Sequence, residues 1–72
     1  MSRQPHKPRF YLARRCTRWD VYPQRQPLEA IAHDYEGFWA LTDAGEWFKT
    51  PTSYVFEREI TESEARAFRL TA

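Results

Sequence analysis

Residues 36–49 read Glu-Gly-Phe-Trp-Ala-Leu-Thr-Asp-Ala-Gly-Glu-Trp-Phe-Lys and hold both glycines and two of the three tryptophans of the chain. In the tetrad Thr42-Asp43-Ala44-Gly45 the glycine falls where a type I turn is followed by a residue of positive φ. That predicts a three-residue hairpin loop with a bulge. Counting outward from the loop, Leu41 faces Trp47, Ala40 faces Phe48 and Trp39 faces Lys49. Side chains alternate along a strand, so Trp39, Leu41 and Trp47 share one face while Phe38, Ala40 and Phe48 share the other. A hairpin apolar on both faces needs cover on two sides. The remaining chain must provide it or leave a face for another molecule.

The chain has little with which to do so. At 72 residues it is one domain, and chains of this size bury only about 60% of their unfolded surface. Its five Phe, four Tyr and three Trp are therefore a large share of the available apolar surface. The mean hydropathy of −0.81 and the lack of a long apolar run argue against a membrane span. The prolines and charges at the N-terminus argue against a signal peptide. Cys16 is the single cysteine, allows no internal disulfide and suits a reducing cytoplasm.

Residues 1–8 contain Pro5 and Pro8 without hydrophobic periodicity and predict a flexible basic arm ahead of a single domain, 9–72. Residues 9–14 alternate Phe10 and Leu12 against Tyr11 and Ala13, and residues 17–22 alternate again, which predicts two strands joined near Arg15 and Cys16. The segment 28–36 satisfies two patterns. As a helix it has Pro27 at its first position and Leu28, Ile31, Ala32 and Tyr35 on one face. As a strand it turns back through Asp34-Tyr35-Glu36-Gly37, with Asp first and Gly fourth as a type I turn prefers. Propensity tips the balance slightly to the helix. Residues 54–60 predict a strand with Val55 and Glu57 opposed to Tyr54, Phe56 and Arg58, and with Glu57 and Glu59 on one face. Thr61-Glu62-Ser63-Glu64 is a capping box, with Ile60 and Ala65 at the staple positions of a short C-terminal helix. The expected fold is α+β: a small antiparallel sheet built on hairpins, a C-terminal helix, and one more short helix if 28–36 takes that form.

Catalytic constellations are missing from the pattern. Cys16 has only His6 and His33 as bases and no nucleophile motif around it. The histidines lack metal-ligand spacing, and two glycines cannot form a phosphate-cradling loop. The sequence reads as a non-enzymatic protein without catalytic residues, cofactor or metal.

Charge is more informative. Through Arg25 there are seven basic residues against Asp20 alone, a net +6, and from Gln26 onward four against nine acids, a net −5. Basic and aromatic side chains interleave in the N-terminal part. Arg3, Lys7, Arg9, Tyr11, Arg14, Arg15, Arg18 and Trp19 are the candidate partner-binding residues, with Arg14, Arg15 and Arg18 expected to cluster about one turn. Two readings follow. The first is a module that docks on a larger protein assembly with an acidic surface and modulates it, a monomer when free. The alternative is a nucleic-acid binder using the same Arg/aromatic surface. Against it stand an isoelectric point of about 7.9 and the acidic C-terminal two-thirds.

In its size, aromatic richness, charge dipole, single cysteine and lack of a catalytic motif, the whole chain resembles the small bacteriophage proteins that capture host machinery. Inhibitors and antitermination factors that bind host RNA polymerase are similar in character, and anti-CRISPR proteins share the general look. The resemblance rests on no diagnostic motif. It implies transcription regulation through an acidic surface of a host protein in the host cytoplasm, with nucleic acid contacted directly or within the partner complex.

Overall fold

Asp34 decides the topology. A computed structural model describes residues 4–16 and 25–71, and in it the Asp34 carboxylate accepts the amides of Glu36 (2.8 Å), Gly37 (3.2 Å) and His6 (2.9 Å). The first two bonds close a tight turn, and Gly37 takes φ +130°, which a side chain resists. The slight preference for a helix over 28–36 is thereby corrected. Residues Glu29–Asp34 form a strand, because turn chemistry outweighs the modest helix propensity of leucine and alanine. Ile31 and Ala32, adjacent and both fully buried, need cover on opposite sides, which a strand inside a sheet provides.

Among the described residues five strands make one antiparallel sheet. They are β1 (Arg9–Cys16), β2 (Glu29–Asp34), β3 (Gly37–Leu41), β4 (Trp47–Thr50) and β5 (Ser53–Ile60), followed by the helix α1 (Glu62–Thr71). The spatial order is β4-β3-β2-β1-β5, so this is an α+β domain with β2 at its centre. Strand β1 pairs with β2 and β5. The strand expected over 17–22 lies outside the described residues. The hairpin of β3 and β4 has the register expected from the sequence, Leu41 opposite Trp47, Ala40 opposite Phe48 and Trp39 opposite Lys49. Gly45 takes φ +80°, and its amide reaches the Thr42 carbonyl at 3.0 Å.

One face of the sheet carries Leu12, Ala30, Ala32, Trp39, Leu41, Trp47 and Ile60, with Phe10 and Leu28 at its margin, and α1 lies across it through Ala65 and Phe68. Alanines at 30, 32 and 65 allow the helix to approach closely. The capping box forms as expected: Thr61 Oγ1 accepts the Glu64 amide at 3.1 Å and Glu64 accepts the Thr61 amide at 2.9 Å. These bonds from Thr61 hold the Glu64 carboxyl below its ordinary pKa. Further along, Arg66 donates to the Gly45 carbonyl at 2.7 Å, and Arg69 pairs with Asp43. The two arginines of α1 thus bind it to the β3–β4 loop.

Strand β5 departs from simple alternation. Leu12 pairs with Arg58 but Ala13 with Phe56, so Glu57 is an extra residue in a bulge. The bulge turns Arg58 to the helix-covered face with Leu12, away from Tyr54 and Phe56. It also separates Glu59, which pairs with Tyr11, from Glu57, which accepts Arg14 on the other face.

Burial pushes the Asp34 carboxyl up, but the His6 amide, the Trp39 indole and the two turn amides outweigh it and hold its pKa below the usual value. A depressed carboxylate contributes stability that is complete above its unfolded pKa and lost as pH falls through the folded one. Asp34→Ala is expected to cost about 1–3 kcal/mol at neutral pH by stranding those donors, and Asp34→Asn to flatten the loss of stability in acid. Urea denaturation at neutral and acid pH measures both.

Candidate binding face

The second face of the sheet has no helix over it among the described residues. Its core is Ala13, Ile31 and Tyr54, with Tyr11 and Phe38 packed alongside. Register brings further rings here: His33 lies opposite Phe38, and Phe48 lies opposite Ala40. Phe56 joins them from β5 through the pair with Ala13. Tyr11 and Phe56 stack with centroids 3.9 Å apart and planes 7° from parallel. His33 meets Phe38 at 4.9 Å and Phe56 at 5.5 Å, and Phe38 meets Tyr54 at 5.5 Å. Five rings on four strands form one continuous cluster. Water still reaches it at Phe56, which is 40% exposed, and Phe48 on the same face is 47% exposed.

Ring orientation limits what the cluster can bind. The Tyr11–Phe56 stack occupies one π-face of each ring. Base stacking needs a ring lying flat with its face free. Edge-to-face and offset-stacked contacts also suit the apolar and aromatic side chains of a protein.

Charge on this face is balanced. Arg15 donates to both oxygens of Glu29, at 2.7 and 3.3 Å, and that bond raises the guanidinium pKa further. Arg9 lies opposite His33, and Glu59 opposite Tyr11, at the other end of β1. Burial raises the phenol pKa of Tyr54, with the Glu29 carboxylate adding to it.

The sequence-derived candidates separate accordingly. Tyr11 is inside the ring cluster. Arg14 and Arg15, neighbours on one strand, point to opposite faces, and the turn expected to gather them with Arg18 lies outside the described residues. Arg14 bonds Glu57 at 3.0 Å and the Gln26 carbonyl, and Arg15 bonds Glu29. Lys7, at φ +47°, and Arg9 make no ion pair among the described residues and lie toward the His33 end of the sheet. Arg3, Arg18 and Trp19 lie outside the described residues. Sequence reasoning did not assign His33, Phe38, Phe48, Tyr54 and Phe56 to the site. Alternation placed most of them on a common side of their own strands, but only the order of strands joins those sides to Tyr11.

His33 lies by Arg9 at one end of β1 and Cys16 at the other, about 23 Å apart at the rise of a strand. His6 is held by Asp34 at the His33 end, with its ring edge-on to Tyr35. Among the described residues no three His, Cys, Asp or Glu side chains gather as metal ligands, and no helix is long and apolar enough to cross a membrane. No protein family, curated protein or solved structure matches the chain.

Because the neutral Tyr54 phenol is favoured by folding, its contribution is complete below the unfolded tyrosine pKa and lost as pH rises through the folded one. Tyr54→Phe should therefore blunt the alkaline loss of thermal stability. Parallel melting curves at neutral and alkaline pH check it, and an unchanged alkaline loss would show that Tyr54 is not its source.

Proposed function

We propose that the chain is a non-enzymatic binding module that docks on a protein assembly through the open ring-bearing face and modulates it. The observation that supports this reading is the cluster of Tyr11, His33, Phe38, Tyr54 and Phe56 on the face that α1 does not cover. Clustered, water-accessible rings with arginine nearby are the residue types that dominate protein interfaces. The partner surface that fits is apolar at its centre and carboxylate-bearing at the rim, where it meets Lys7 and Arg9. The balanced charge over the rest of the face, with Arg15 paired to Glu29, weighs against nucleic acid as the direct ligand. The resemblance to phage regulators makes bacterial RNA polymerase the first assembly to test, with the host cytoplasm as the site of action.

Phe56→Glu and Tyr11→Ala should each weaken binding to immobilised purified RNA polymerase about tenfold or more, as expected for ring anchors. Near-unchanged far-UV circular dichroism would show that the fold is retained. Arg14→Ala should bind like the parent, because that guanidinium is committed to Glu57 on the other face. Binding that survives Phe56→Glu would remove this face from consideration. Capture from a bacterial lysate that disappears on nuclease treatment would transfer the reading to nucleic acid.

A further inference from the structure

The two edges of the sheet are unequal. Strand β4 is four residues long, carries Lys49 and runs into Pro51, all of which discourage a further strand. Strand β5 is twice that length and contains neither proline nor lysine. Its first half, Ser53-Tyr54-Val55-Phe56, is uncharged and regular, and the bulge comes only after it, at Glu57. Val55 is 44% exposed on one face and Phe56 40% on the other, and no described residue pairs with the outer side. Such an edge offers a row of backbone donors and acceptors to another strand.

We infer that the first half of β5 pairs antiparallel with the same stretch of a second copy of this chain, about a two-fold axis through Val55. That register sets Val55 against Val55 of the second copy, Tyr54 against Phe56 and Ser53 against Glu57. Every opposed pair lies on a matching face, because the side-chain period is two. Aromatic residues meet aromatic residues, the valines meet each other, and no like charges are opposed. The contact is isologous and closes at two copies, since the outer edges then remaining are the blunted β4 strands. The dimer is one continuous sheet with both ring clusters on the same side, so a target with paired sites could be held at two points. Only a short ladder forms, well below a standard interface in area. The free monomer expected from the sequence therefore persists in dilute solution and the dimer appears on concentration. This inference uses the edge of β5 rather than the ring face, and Val55, on which its test turns, is not part of the ring cluster.

The axis through Val55 gives a specific test. Sedimentation equilibrium of the parent protein from micromolar to millimolar concentration should show a mass rising toward twice the monomer. Val55→Lys and Val55→Glu each place like charges directly opposite one another, and each should raise the dissociation constant about tenfold or more. An equimolar mixture of the two restores opposite charges at the axis and should associate at least as tightly as the parent. Val55 is a partly exposed edge residue, and circular dichroism of each variant checks that the fold survives. A parent that stays monomeric throughout would overturn the inference. So would variants that associate like the parent, or a mixture no heavier than its components.

Discussion

Among the described residues the ten-residue α1 covers one side of the five-stranded sheet and no helix covers the other, and the division of side chains between the two sides follows from that. The side that α1 takes is lined by Trp39, Leu41, Trp47 and Leu12, and its centre is shut from water: Trp39 is fully buried. The other side keeps its smaller rings close together and partly wet. Burying apolar area at roughly 25 cal/mol per Å² favours giving the largest rings to the covered side, and two of the three tryptophans are found there. What remains on the open side is a surface that packs against itself, by stacking and edge contacts, without being shut from water.

Electrostatics reinforces the division. The C-terminal arginines Arg66 and Arg69 reach the β3–β4 loop and fix the helix over one side. In the N-terminal half, Arg14 and Arg15 are taken up by Glu57 and Glu29 from the acidic part of the chain. The charge dipole along the sequence is thus partly cancelled in space, because β1 lies between β2 and β5. Exposed ion pairs of this kind contribute little to stability. Their larger effect is to remove two of the cations that would otherwise attract phosphate.

How far the sequence could be read depends on the range of the physics involved. The β3–β4 hairpin, its register, its two faces and the capping box at Thr61 were legible because each rests on residues within a few positions of one another. The choice between helix and strand over 28–36 was harder. Propensity and turn chemistry conflicted there, and the cover that Ile31 and Ala32 need on opposite sides comes from strands distant in sequence. The bulge at Glu57 carries no local mark, so the face of Arg58 could not be read. The candidate site was legible in kind, as surplus rings beside basic residues, and only partly in position. Tyr11, singled out in the sequence, lies on the open face, while Phe38 and Phe56 become its neighbours only once β1 is placed between β2 and β5.

In the free protein the ring cluster is open to solvent at Phe56. Aromatic NMR with a soluble paramagnetic agent measures this directly, because relaxation of each ring proton reports its distance from bulk water. The account requires strong enhancement at Phe48 and Phe56 and almost none at Trp39. Enhancement as weak at Phe56 as at Trp39 would mean that the second face is sealed, and the docking reading would lose its surface.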